Sequence, residues 1–272
     1  DMGNLDEGDN YLLYQEAVRK GFLQEVGVYY MWDFFMDKED FQIPEERFNK
    51  KQQIFVSGLK LIGDGSVSGK TAWMAEPYLD SDSCGISVCS DRQMETAVDF
   101  CKKNHCQLSM HAMGTKAIER VVDRAVREEK WNQGPEPYVR VEHITLPSED
   151  SIEKAAAHGI GFVTQPIFLY AEIESYLKNL GTERMKTCYP IRHLLDKGVK
   201  LSYPQTLRLP PGRPGGNGGQ RKSADRPHGR YHQDPHLHDP ALSRAGDRLH
   251  PGVRYQLRHQ RAAGLKGGLN YA

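Results

Sequence analysis

Up to Tyr203, short apolar runs alternate with stretches of helical periodicity, and that alternation restricts the chain to a sheet covered by helices. The extended runs are residues 26–32 (VGVYYMW), 55–62 (FVSGLKLI), 107–111, 138–143 (YVRVEH), 161–164 and 199–203. Helical patterns occupy 11–23, 45–52, 91–104, 116–130, the segment from Ser148 to Gly159, and 191–197. Residues 91–104 have Ser90 as an N-cap and an apolar face at Met94, Val98 and Cys101. Residues 116–130 set Ile118, Val121, Val122, Ala125 and Val126 on one stripe. Glu149 and Asp150 sit in the first turn of their helix, where negative charge is favourable, and Gly159 and Gly198 are stops. Apolar strands separated by helices predict a parallel sheet. About six strands are counted where a closed barrel needs eight, so the expected fold is α/β, a partial (β/α)8 TIM barrel.

The chain has no net charge, but the balance is uneven. Residues 1–203 are acid-rich, whereas 204–272 hold ten Arg against four Asp and no Glu, Ile, Phe, Met, Trp or Cys. A segment of that composition cannot bury enough apolar surface to offset its ordering entropy, so 204–272 is expected to be a poorly ordered Arg/Pro/Gly/His-rich tail. No apolar run reaches the roughly 18 residues of a membrane span. The opening DMGNLDEGDN lacks the features of a secretory signal and begins with Asp, so a longer N-terminus is expected. The five cysteines are odd in number and contain no C-x-x-C pair, which argues against a disulfide framework and for a reducing, cytoplasmic setting. Cys101 and Cys106 read as small buried hydrophobes.

Three polar residues stand where parallel α/β folds keep their active sites. His111 closes QLSMH, His143 closes YVRVEH, and Lys60 lies within FVSGLKLIGDG, a costly place for an ammonium. Two imidazoles on adjacent strands have the chemistry to share one cation. A buried lysine has a depressed pKa, and its neutral amine takes up carbon dioxide to form an anionic carbamate ligand. Strand-end histidines also serve as hydrogen-bonded rim residues, and a long amine also snorkels to a barrel end. His105, His158 and His193 occupy polar or helix-end positions and read as surface histidines.

The run GLKLIGDGSVSGKTAWMAEPY (58–78) resembles the fourth-strand region of the metal-dependent amidohydrolase superfamily, most closely its branch of N-substituted formamide deformylases. HAMGTKAIERVVD (111–123) is similar to that branch's fifth-strand motif, RVEHIT (140–145) to its sixth and GFVTQP (161–166) to the start of its seventh. The resemblance implies that His111 and His143 are metal ligands and that Lys60 is a bridging, carboxylated lysine. It implies one or two divalent ions, zinc in the first instance, and hydrolysis of a carbon–nitrogen bond in a small amide-type molecule by metal-activated water. An eighth-strand Asp would move the proton to the leaving nitrogen.

The chain departs from that family in three places. No His-x-His pair precedes Lys60, and the only such pair, His236 and His238, follows no apolar strand. Thr115 stands where the family has Asp. After GVKLS the family continues with Ser-Asp-x-Pro, which carries the catalytic Asp, whereas this chain reads YPQTLRLPPGRPGG. Codons for that segment exist whose shifted frame restores the motif, so residues from about 203 onward are expected to be a frameshifted translation; the encoding DNA tests this directly. Two rival readings follow. One is a non-catalytic amidohydrolase-like regulatory or binding protein. The other is a basic nucleic-acid-binding tail, disfavoured because its charge is unclustered and aromatics are few.

Overall fold

The computed structural model describes residues 2–3, 8–132 and 134–203. The tail expected at 204–272 lies outside the described residues. Seven strands are parallel and hydrogen-bonded in strict chain order: β1 (Met2–Gly3), β2 (Val26–Met31), β3 (Ile54–Ile62), β4 (Gln107–Ala112), β5 (Val139–His143), β6 (Gly161–Thr164) and β7 (Lys200–Ser202). Sequential parallel order is the winding of a (β/α)8 barrel, and β1 and β7 do not pair with each other, so the described residues form a partial barrel. The strand beyond the expected six is β1, two residues long and too short to show a period.

The helices are α1 (Asn10–Arg19), α2 (Asp91–Lys103), α3 (Thr115–Ala125), α4 (Glu149–His158), α5 (Ile167–Ala171), α6 (Ile173–Lys186) and α7 (Ile191–Asp196). One residue set of each strand faces them: Leu59, Leu61, Leu108, Met110, Val139 and Val141 are buried with Met94, Val98, Ile118, Val121 and Val122 in the main core. The 3.6-residue stripes read from the sequence for α2 and α3 are among these residues, and Cys101 and Cys106 lie within the same core.

Boundaries differ from expectation where backbone chemistry intervenes. α1 stops at Arg19 because Gly21 turns left-handed at φ 97°. Residues 45–52 give only one 3-10 turn, Glu45–Phe48. α3 ends at Ala125, short of 130. Between β6 and β7 the chain also forms α5 and α6, which join at Glu172 and are not among the helical patterns read from the sequence. Both expected termini of α4 hold: Ser148 caps it and Gly159 closes it at φ 66°.

Ser90 forms a reciprocal cap on α2, its Oγ accepting from the Gln93 N–H at 3.2 Å while Gln93 Oε1 accepts from the Ser90 N–H at 2.7 Å. Ser90→Ala is expected to lower stability by about 1 kcal/mol, read as a shift in urea midpoint at constant slope.

Candidate metal centre

The face of the sheet away from the helices is polar. Parallel pairing sets Lys60 beside Ser109, Ser109 beside Arg140, and His111 beside Glu142. Because side chains alternate, these residues share one face. Glu142 is the hub: it accepts from Ser109 Oγ at 2.8 Å and from Arg140 at 2.6 Å, and it pairs with the Lys60 amine. The Arg140 guanidinium also stacks over Tyr29, 4.7 Å from the ring centre. Two cations thus share one carboxylate, and losing the lysine proton makes the trio neutral. Burial, reinforced by Arg140, pushes the Lys60 amine down to about 7, with the Glu142 carboxylate pulling the other way.

His143 reaches this face by a distortion. It pairs in register with Ala112, which lies in the core, so regular alternation would turn its ring towards the helices. Instead His143 and Ile144 adopt left-handed conformations at φ 77° and 49°, rare for non-glycine residues and rarer for a β-branched one. The ring comes to 4.4 Å from that of His111, steeply tilted, and 5.7 Å from Phe168 of α5. Its Nδ1 is buried without a hydrogen-bond partner. Burial, then the neighbouring His111 and Lys60, hold the His143 pKa well below the ordinary imidazole value, so the ring is neutral at pH 7. His111 Nε2 lies 2.9 Å from the Gly65 carbonyl, and only a protonated nitrogen bonds to a carbonyl. Neutral His111 therefore carries its proton on Nε2 and a lone pair on Nδ1.

The structure thus brings His111 and His143 into contact, while Lys60 lies on the same face as His111 and pairs with Glu142. His105, His158 and His193 are exposed, and His193 pairs with Glu149. Thr115 donates to the Leu146 carbonyl at 2.8 Å. Sequence reasoning passed over Glu142 and Arg140, although the cost of a charge inside an apolar strand, which singled out Lys60, applied equally to RVEH. It also passed over Asp64, which is 1% exposed in the loop after β3.

The mouth beside these residues has its own small core. Val67, Met74, Tyr78, Met113, Leu146 and Tyr176 pack there, with Phe168 against them. Asn179 of α6 donates to the Val67 and Ser68 carbonyls at 2.9 and 3.0 Å, and the buried hydroxyls of Thr145, Tyr189 and Tyr176 form a chain. Long βα loops at this end are where barrel enzymes set specificity.

A family model described as the amidohydrolase family matches residues 10–205, most of the chain and all strands from β2 to β7. The chain belongs to the amidohydrolase family. Among curated relatives, this amidohydrolase chain is similar to a provisionally named amidohydrolase, YtcJ of Bacillus subtilis (strain 168), at 29% identity over 52% of this chain and 26% of that protein. It is also similar to Protein LONG AFTER FAR-RED 3 of Arabidopsis thaliana, at 26% identity over 55% of this chain and 26% of that protein. The chain thus spans about a quarter of the length of the curated relatives it matches. The fold is shared with an uncharacterized metal-dependent hydrolase from Pyrococcus furiosus, with TM-score 0.58 and 23% identity over 74% of this chain and 41% of that one. A second such hydrolase, from Pyrococcus horikoshii OT3, gives TM-score 0.56 and 23% identity over 71% and 37%.

The described side chains match a divalent ion in donor type. Two imidazoles meet, one with an orphaned buried nitrogen, and a lysine held near neutrality lies on the strand next to that of His111. Among the described residues no group of three His, Cys, Asp or Glu is placed to hold an ion. No described helix is long and apolar enough to cross a membrane.

Proposed function

We propose that this chain belongs to a metal-dependent hydrolase acting on carbon–nitrogen bonds other than peptide bonds, in small amide or formamide substrates. The observation that carries the reading is the contact between His111 and His143 on adjacent strand ends, reached through a strained backbone at His143 and Ile144. His111 and His143 would hold the ion, and Lys60, as amine or carbamate, would complete the protein donors. When bound, a divalent ion, zinc in this reading, supplies a Lewis acid and lowers the pKa of water from about 15.7 to about 7. The chain's own residues contribute the rest. Glu142 and Arg140 set the charge around Lys60, and Phe168 of the mouth core packs 5.7 Å from the His143 ring. The formamide deformylase branch is favoured by the motifs at 58–78, 111–123 and 140–145. The partner is a small molecule, not nucleic acid, and the setting is the cytoplasm.

The 272-residue chain is expected to bind Zn²⁺ yet show turnover at background, because it has no His-x-His before Lys60 and no Ser-Asp-x-Pro after Ser202. We take residues from about 203 onward as frameshifted. A protein expressed with the frame corrected and the upstream pair present is expected to release amine and acid from N-substituted formamides, and to stop on chelation. Robust metal-dependent turnover by the present chain would contradict the first expectation; failure of the repaired protein on every amide tested would contradict the function. The non-catalytic reading has one observation in its favour, the missing third His, Cys, Asp or Glu among the described residues. It predicts that the natural gene lacks both motifs.

A further inference from the structure

We propose that Asp64 is the positioning residue for His111, holding both its tautomer and the loop it leans on; this rests on the metal-centre reading above. Asp64 is 1% exposed, yet no lysine or arginine pairs with it in the hydrogen bonds and ion pairs described for it. Three backbone N–H groups converge on it instead: Met113 on Oδ1 at 3.0 Å, and Trp73 and Gly114 on Oδ2 at 2.8 Å each. The fourth neighbour is His111 Nε2, 3.4 Å from Oδ1.

The two carboxylate oxygens therefore have different duties. Oδ2 ties the β3 loop to the start of α3 through Trp73 and Gly114. The approach there is so close that a Cβ on Gly114 would lie 2.2 Å from the Trp73 carbonyl oxygen. Oδ1 faces the end of β4, where it takes the Met113 N–H and presents negative charge to the His111 ring. The next residue, Gly65, gives His111 its carbonyl at 2.9 Å. One side chain thus fixes the acceptor of the Nε2 proton and adds a carboxylate behind it. Both favour the Nε2–H tautomer and leave the other nitrogen as a donor. A buried carboxylate behind a ligating imidazole fixes the ring's tautomer and raises its basicity.

Asp64→Asn separates the duties. The amide oxygen can keep the Trp73 and Gly114 bonds at the Oδ2 position, but the amide nitrogen then faces Met113 N–H and His111 Nε2–H, donor against donor. Imidazole ¹⁵N shifts, assigned with His111→Gln, are expected to show Nε2–H in the parent and loss of that preference in D64N. Zn²⁺ affinity, from competition with a chromophoric chelator, is expected to fall about 10- to 100-fold. Asn179→Ala, which loosens the same loop at Val67 and Ser68, is the control and is expected to change stability but neither readout.

An unchanged His111 tautomer and zinc affinity in D64N would overturn the proposal, as would an Nδ1–H tautomer in the parent. Should D64N fail to fold, the parent's tautomer decides. Should the parent bind no divalent ion while the tautomer responds as stated, the metal-centre reading falls and the positioning role stands.

Discussion

Replacing His143 by glycine is expected to cut Zn²⁺ affinity at least a hundredfold while leaving stability within about 1 kcal/mol of the parent. Ordinary truncation of a large buried side chain costs about 2–5 kcal/mol. Two features of this site oppose that cost. The left-handed backbone at φ 77° is strained for histidine and free for glycine, worth about 1–3 kcal/mol. Removing Nδ1 relieves a buried nitrogen with no partner, worth about 1–3 kcal/mol. Against these stand lost contacts with His111 and Phe168 and the extra flexibility of glycine in the unfolded chain, about 1 kcal/mol. His143→Ala separates the contributions, because alanine loses the ring and keeps the strain; it should be the less stable of the two. Urea unfolding of both variants, with zinc affinity measured in parallel, checks this. A glycine variant destabilised by several kcal/mol would show that His143 is a packing residue, and one that keeps its zinc affinity would remove it from the site.

The same distortion explains why part of the site was not legible in the sequence. The strand–helix alternation and the buried stripe of α3 follow from hydrophobic period, and the ends of α4 from cap chemistry, all of which act within a few residues. His111 and Lys60 were visible because they sit at or inside apolar strands. That His143 turns back to meet His111 was not, since period two assigns it to Ala112's face. Asp64 was hidden for a related reason: its partners Met113 and Gly114 are backbone groups 49 and 50 residues away, and any residue type would supply their N–H. α6 escaped because Gly181, at φ 75°, interrupts its helical period. Family resemblance implied His111 and His143 as ligands without disclosing how a strand delivers them.

Lys60 gives the second large effect, a stability that rises with pH. Its amine titrates near 7 in the folded chain against a reference value of 10.5, so between those limits the unfolded chain holds more protons. Unfolding free energy therefore increases as pH climbs through that window and is flat, at its least favourable, below it. The limiting slope is about 1.4 kcal/mol per pH unit. Glu142 offsets part of it, so a gain of about 2 kcal/mol from pH 7 to 9 is expected relative to Lys60→Met. Comparing the two proteins cancels the titrations they share. The measurement is a set of urea midpoints in metal-free buffer purged of carbon dioxide. In bicarbonate the neutral amine adds carbon dioxide across its nitrogen, releasing one proton and leaving a carbamate. The parent should then gain the mass of one carbon dioxide in a native spectrum, which the methionine variant lacks. A carbamate brings a second negative charge beside Glu142, so its yield should rise when zinc is added. Parallel pH profiles for parent and K60M would mean that the Glu142 pair keeps the ammonium charged, and the lysine would then be a structural ion-pair partner instead of a ligand in waiting.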